Sequence, residues 1–193
     1  MGTVKSLLLG MCFVLGACTS QTSTVQTTEK GTQWEWQNGT IVVKTPERPA
    51  GQKSVLGLTT PKLEAVRVGF VGLGMRGPGA VERFTYIPGT QVVALCDYEE
   101  ARADKCQELL KKASMPKAAV YSGDKGYEEL CKRDDIDLVY IAADWLHHFP
   151  VAKCALENGK NVAIEVPSAM NLQECWDLIN LSESTRKLSL IHI

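Results

Sequence analysis

Val66-Arg67-Val68-Gly69-Phe70-Val71 runs directly into Gly72-Leu73-Gly74-Met75-Arg76-Gly77, and Asp97 closes a second apolar run, Gln91 to Cys96. The order is strand, glycine-rich turn, helix, strand, carboxylate. This is the layout of a dinucleotide-binding βαβ unit, in which the acid follows roughly 20 residues after the glycines. Gly72 allows a sharp turn, because a residue without Cβ tolerates positive φ. Gly74 has no side chain to hold the backbone away from a pyrophosphate. Gly77 lets the helix pack closely on the strand. The helix N-terminus then presents unpaired N–H groups and partial positive charge to the phosphates. At the second strand end, the Asp97 carboxylate can accept ribose hydroxyls and repel a 2′-phosphate, which favours NAD. The competing reading is a glycine-rich turn of another α/β protein, with Asp97 as a helix cap.

The same alternation continues beyond the motif. Met75 to Tyr86 reads as a helix. Glu99 to Ala113 reads as another, with Ala103, Cys106, Leu109 and Leu110 at helical spacing. Ala119 to Tyr121 is a short strand and Tyr127 to Lys132 a short helix. Leu138 to Ala142 is a continuous apolar run, as in a strand buried on both faces of a parallel sheet. Phe149 to Glu157 reads as a helix stopped by Asn158-Gly159, and Val162 to Ile164 as the next strand. Asn171 with Glu174 forms a capping pair that opens a helix to about Ser184. Leu188 to Ile193 can form a sixth strand. The pattern predicts an α/β fold: a doubly wound, mostly parallel sheet of Rossmann type in a single domain, 63–193.

In such a sheet, ligands bind at the carboxyl ends of the strands. The turn from Gly72 to Gly77, Asp97, the segment Ala143 to His148 and Glu165 all fall at those ends. Trp145 can stack on a ring, and His147 or His148 can donate to a ribose or titrate near neutral pH. Glu165 can bond the ribose on the nicotinamide side. The alternatives are a capping histidine, a packing tryptophan and a solvated strand-end acid.

The segment before residue 63 has a different character. Lys5 precedes Leu7 to Val14, an apolar run too short to span a bilayer and suited to a signal-peptide core. Leu15-Gly16-Ala17-Cys18 is similar to a bacterial lipobox. Residues 1–17 then form a lipoprotein signal, and Cys18 becomes the lipidated N-terminus of a membrane-anchored, exported protein. Thr19, where an aspartate would retain the protein at the inner membrane, favours the outer one. A buried N-terminal helix is the competing reading. Residues 18–62 read as a tether and arm. Thr19 to Thr28 is rich in Ser, Thr and Gln. Asn38-Gly39 between Trp34-Glu35-Trp36 and Ile41-Val42-Val43 signals a hairpin. The two tryptophans either pack or bind sugar. Pro46 to Pro61 leads into the first strand.

Composition closes off other classes. The 193 residues carry a formal net charge of −1 and no basic stripe, which argues against nucleic acid. Of the seven cysteines, Cys12 and Cys18 belong to the signal. Cys96, Cys106, Cys131, Cys154 and Cys175 show no zinc or disulfide spacing and read as small, mostly buried thiols.

Gly72 to Gly77, Asp97, Asp144 to His148 and Glu165-Val166-Pro167 together resemble the NAD-binding domain of the glucose–fructose oxidoreductase / inositol dehydrogenase / MocA family. Most dehydrogenases of that family carry Glu-Lys-Pro on the fifth strand, where the lysine assists proton transfer. This chain has Val166, a departure that puts simple alcohol dehydrogenation in doubt. The fuller set, with Trp145-Leu146-His147-His148 and Val55 to Pro61, resembles glycoside hydrolase family 109, the NAD-dependent α-N-acetylgalactosaminidases, over about Ser54 to Lys187. The resemblance implies NAD as cofactor. It implies that Gly72, Gly74, Met75, Arg76 and Gly77 hold the pyrophosphate and Asp97 the adenosine ribose. Trp145, Leu146, His147, His148, Glu165 and Val166 would then line the nicotinamide side. The implied reaction is a redox glycosidase cycle: oxidation at sugar C3, elimination of the glycosidic oxygen, hydration, and return of the hydride. Family members place sugar-binding and base residues in a second, substrate domain, so no catalytic residue is expected within 1–193 and the chain alone is expected to be inactive. A non-catalytic nucleotide-binding lipoprotein and an ordinary NAD-dependent sugar oxidoreductase remain as alternatives. Exposed surface where a second domain would dock makes an oligomer possible.

Overall fold

The computed structural model describes residues 26–27, 33–44 and 47–191. The signal segment, Cys12 and Cys18 lie outside the described residues, as do His192 and Ile193. The chain divides into two compact units, Met1–Lys44 and Thr45–Ile193.

The first unit is a small antiparallel sheet of β1 (Gln26–Thr27), β2 (Gln33–Gln37) and β3 (Thr40–Val43). Asn38 and Gly39 take φ of 50° and 80°, the two positive values that a primed two-residue turn needs. The turn sets Trp34 opposite Val43 and Trp36 opposite Ile41. Trp36 remains exposed. The expected tether is interrupted at Gln26–Thr27, which pairs with Gln33 and Trp34. An open strand edge offers free backbone groups, and these two residues take them up. The rest of the tether, Thr19 to Val25 and Thr28, lies outside the described residues.

The second unit alternates strand and helix: β4 (Val66–Val71), α1 (Gly77–Thr85), β5 (Thr90–Asp97), α2 (Glu100–Lys112), β6 (Ala119–Ser122), α3 (Gly126–Cys131), β7 (Leu138–Ile141), α4 (Trp145–Glu157), β8 (Asn161–Ile164), α5 (Leu172–Thr185) and β9 (Ser189–Ile191). The six strands are all parallel, in the order β6-β5-β4-β7-β8-β9. The order reverses direction between β4 and β7, so the crevice at their carboxyl ends is the switch point.

Alternation along the strands builds a core on each face. Val68, Phe70 and Leu95 meet Ala80, Val81, Ala103 and Leu110 of α1 and α2. Val71, Val139, Ile141 and Ile164 meet Leu130, Val151, Ala155 and Leu178 of α3, α4 and α5. Each fully buried Val, Leu, Ile or Phe side chain among them contributes about 1.5–3 kcal/mol. Phe70, Phe84 and Tyr140 form an aromatic trio, with ring centroids 5.2, 5.3 and 5.5 Å apart.

Two helix starts differ from expectation. α1 begins at Gly77 rather than Met75, with Pro78 in its first turn, where proline is pre-set for helix. α4 begins at Trp145, so the expected loop from Trp145 to His148 is its first turn. Asp144 causes this: its side chain accepts from the Leu146 N–H at 3.0 Å. Pro150 stands inside the helix and leaves the Leu146 carbonyl without its usual donor. The α5 start is as expected, with Asn171 accepting from Glu174 N–H at 3.1 Å and Glu174 Oε2 accepting from Met170 N–H at 2.7 Å.

The arm before β4 is anchored to α5. Gln52 Nε2 donates to the Asn180 carbonyl and side-chain oxygens at 3.2 and 3.1 Å. Arg186 Nη1 donates to the carbonyls of Lys53 and Ser54 at 2.7 and 3.1 Å. Arg48 Nη2 lies 2.9 Å from the fully buried Glu183 carboxylate. That contact is coulombic, being out of hydrogen-bonding alignment. Among the described cysteines all five are free. Cys96, Cys106 and Cys131 are buried, and burial pushes the Cys96 thiol up to about 12 and Cys106 to about 11. Cys154 is half-buried and Cys175 exposed, so most but not all of the five are buried thiols, as expected.

Candidate functional site

The carboxyl ends of β4, β5, β7 and β8 surround a cleft of about 990 Å³. That is at the upper end of the range for small-molecule sites. Gly72, Gly74, Met75, Arg76, Asp97, Trp145, Leu146, His147, His148, Glu165 and Val166 all line it. Gly77 does not, and lies beneath the turn.

The glycines divide the work as steric logic requires. Gly72 has φ of 90°, and a Cβ there would lie 2.2 Å from Ala143 N, so the turn after β4 touches the end of β7. A Cβ on Gly77 would lie 2.1 Å from the Gly72 carbonyl oxygen. Gly74 differs: the nearest atom to an added Cβ is Arg102 Nη1 at 3.6 Å, so that position opens onto space. No side chain caps α1 at Arg76, which leaves its first N–H groups for a ligand. Open space beside a bare turn and an uncapped helix start suits a pyrophosphate. Met75 is 93% exposed at the crest of the turn.

Asp97 is buried, and its carboxylate holds the turn itself. Oδ2 accepts from the buried Leu73 N–H at 2.6 Å. Oδ1 accepts from Glu99 N–H at 3.0 Å and from Arg102 Nη1 at 3.3 Å. Arg102 also donates to Glu99 Oε1 at 3.0 Å. The residue thus serves the start of α2, as the helix-cap reading has it, and also the glycine turn, which neither sequence reading anticipated. Tyr98, Arg102, Asp124 and Tyr127 line the same end of the cleft and were missed. Arg102 was legible in principle, since the first turn of a helix after Asp97 brings position 102 back over the strand end.

At the other end, Asp144 caps α4 through one oxygen and holds His147 Nδ1 at 2.6 Å through the other. Partial desolvation raises the Asp144 carboxyl. The His147 bond and charge, with the Leu146 and His147 N–H groups, outweigh it and hold the carboxyl below its usual range. His148 is buried, with Nδ1 2.6 Å from the Pro167 carbonyl and Nε2 2.9 Å from the Ala143 carbonyl. A neutral imidazole has one N–H and can serve one of these acceptors at a time. In either tautomer the ring ties the end of β7 to the segment after β8, and neither nitrogen is open to a ribose. Trp145, Leu146 and Val166 are exposed on the rim.

Glu165 ends β8 and accepts from the Tyr140 hydroxyl at 2.6 Å. Burial first, then the Glu165 contact, push the Tyr140 phenol up to about 12, so it stays a donor at neutral pH. One Glu165 oxygen is therefore fixed by the aromatic trio and the other is left for a ligand. Among the described residues, no group of three or more His, Cys, Asp or Glu could hold a metal ion. Nor is any helix there long and apolar enough to cross a membrane.

The fold and site define a dinucleotide-binding domain of the NAD(P) class. Residues 66–192 match the model of the oxidoreductase family with an NAD-binding Rossmann fold (GFO_IDH_MocA), and the chain belongs to that family. Its sequence groups it more narrowly with the glycosyl hydrolase family 109 proteins. It is 79% identical over 188 residues to glycosyl hydrolase family 109 protein 4 of Phocaeicola vulgatus, covering 97% of this chain and 36% of that one. It is 57% identical over 185 residues to glycosyl hydrolase family 109 protein 1 of Bacteroides thetaiotaomicron, covering 95% of this chain and 38% of that one. The chain thus spans little more than a third of the length of these relatives. Among solved structures it is similar to a biliverdin reductase from Synechocystis in complex with biliverdin and NADP+. The two share 27% identity with a TM-score of 0.56, over 66% of this chain and 37% of that one.

Proposed function

We propose that this chain supplies the NAD site of a redox-type glycosidase that cleaves α-N-acetylgalactosaminides. The observation that carries the reading is one cleft, formed by the strand ends, that gathers the open Gly74 turn, Asp97, the Trp145–His148 turn and Glu165. The high identity to glycosyl hydrolase family 109 proteins supports the glycosidase half. When bound, the nicotinamide ring takes up and returns a hydride, so that each catalytic cycle consumes no cofactor. The residues of this chain hold and orient. The N–H groups at the start of α1 receive the diphosphate, Asp97 fixes the turn that presents them and offers an acceptor to the adenosine ribose, and Glu165 offers its free oxygen to the second ribose. Val166 brings no ionisable group to the cleft, which favours the glycosidase over simple sugar oxidation. Acid–base groups for the sugar are then assigned outside residues 1–193.

Calorimetric titration of the purified chain with NAD tests the cofactor half: saturable one-to-one binding is expected, and its absence at millimolar NAD refutes it. For the substrate half, the gene is read beyond codon 193 and its full product assayed on an aryl α-N-acetylgalactosaminide without added NAD. Net NADH formation without glycoside cleavage would favour a sugar oxidoreductase instead. No turnover of either kind would favour a non-catalytic nucleotide-binding protein. We further propose export, with Cys18 as the lipid anchor. Labelled palmitate should enter the wild-type protein and not Cys18→Ser; equal labelling refutes the anchor.

A further inference from the structure

The adenosine end of the cleft holds a charged cluster in two layers. The Asp97 side chain is 5% exposed, while Arg102 above it is 41% exposed and Glu99 58%. A carboxylate offers about four lone-pair sites. The Leu73 N–H takes one on Oδ2, and the Glu99 N–H with Arg102 takes both on Oδ1. One site on Oδ2 remains, enough for a single ribose hydroxyl. The buried carboxylate therefore does not meet a 2′-substituent as a bare anion: two backbone N–H groups and a guanidinium already face it. Arg102, by contrast, uses two N–H groups of the five a guanidinium carries. It lies beside Gly74, 3.6 Å from where a Cβ would stand, at the turn that the proposed function assigns to the diphosphate. Its hold is light, since the Asp97 contact is long at 3.3 Å and the Glu99 pair is solvent-exposed.

We propose that Arg102, rather than Asp97, decides between NAD and NADP in this chain. It pivots from Asp97 and Glu99 onto an adenosine 2′-phosphate, so that the site accepts both dinucleotides. A planar guanidinium suits a phosphate through paired N–H bonds. The cluster of Asp97, Glu99 and Arg102 carries a formal charge of −1 at neutral pH, so NAD remains the preferred ligand. The inference rests on the dinucleotide reading above and deepens it.

The test titrates the full chain with NAD and with NADP at one salt concentration, for wild type, Arg102→Met, Arg102→Lys and Glu99→Gln. Circular dichroism verifies that each variant is folded. Wild type is expected to bind NADP within about a hundredfold of NAD, and Arg102→Met to lose tenfold or more in NADP affinity, about the worth of one charge-assisted bond. NAD affinity should fall by a clearly smaller factor, since NAD has no 2′-phosphate for the guanidinium to meet. Arg102→Lys should keep part of the NADP affinity, and Glu99→Gln should raise it by freeing the guanidinium. Wild-type binding of NAD with rejection of NADP would overturn the Arg102 inference alone, as would an equal loss of both ligands in Arg102→Met. Binding of neither dinucleotide would overturn the underlying site as well.

Discussion

Removing the Asp97 carboxylate should cost the fold as well as the ligand. In Asp97→Ala the Leu73 N–H loses its acceptor, and that N–H is buried with a 2.6 Å partner. An orphaned buried donor costs about 1–3 kcal/mol, and a bond to a charged acceptor is worth about 1.5–3 kcal/mol. The Glu99 N–H and the Arg102 guanidinium lie nearer the surface and recover water, so they add little. The expected loss is about 2–4 kcal/mol, a large fraction of the 5–15 kcal/mol typical of a domain. With a urea dependence of about 2 kcal/mol per molar, the middle of the range for small proteins, the unfolding midpoint should fall by about 1–2 M.

Asp97→Asn separates the two tasks of the residue. Its amide oxygen can still accept from Leu73, but its NH₂ group then faces the Glu99 N–H and Arg102, donor against donor. Its midpoint should lie between wild type and Asp97→Ala. NAD affinity should fall in both variants, more in the alanine form, because the glycine turn is no longer held. A midpoint for Asp97→Ala within about 0.3 M of wild type, at unchanged slope, would refute the clamp. If NAD binding nevertheless fell, Asp97 would be a ribose acceptor only.

Two further substitutions probe the frame around the cleft. Tyr140→Phe keeps the aromatic trio and removes the hydroxyl that fixes Glu165; NAD affinity should drop about three- to tenfold with stability changed by about 1 kcal/mol, as read by calorimetry and thermal melting. Unchanged affinity would show that Glu165 needs no such support. At the opposite end of the sheet, Arg67 donates to Asp137 at 2.7 and 2.9 Å and holds its carboxyl below the usual carboxylate range. A depressed folded value adds stability above the unfolded value of about 3.9, which is lost as pH falls through the folded value. The stability gap between wild type and Asp137→Asn should therefore be widest above about pH 5 and close under more acid conditions, and urea unfolding at several pH values would detect a gap that fails to close.

The fold was legible because its signals are local and repeated. Apolar runs, the Asn38-Gly39 turn, Gly159 and the Asn171–Glu174 pair each dictate backbone geometry within a few residues. The glycine turn was legible in detail, since Gly72, Gly74 and Gly77 meet a steric demand the sequence states directly. Less legible was which side chains hold the protein and which are open to a ligand. Asp97 and His148 carry the residue types of a ligand site, yet each also joins loops far apart in sequence. Tyr140 lay hidden in an apolar run, where its hydroxyl reaches Glu165 only because β7 and β8 are neighbours. The arm from Arg48 to Ser54 read as a connector, and its anchorage on α5 depends on Asn180, Glu183 and Arg186, more than 120 residues away.

The ionisable groups of the cleft point to how labour is divided in the proposed enzyme. Four of them hold other parts of the chain: Asp97 the glycine turn, Asp144 the start of α4, His148 the ends of β7 and β8, and Glu165, by one oxygen, the Tyr140 hydroxyl. These contacts hold the four groups in fixed orientations. His147 is held by Nδ1 alone, beside the Asp144 carboxylate. Val166 brings no proton donor or acceptor to that side. A cleft so built can fix a dinucleotide and define the face from which a sugar approaches. Deprotonating that sugar is assigned to residues beyond this chain, and a sugar-side pH profile of the full product that moves in His147→Gln would overturn that assignment.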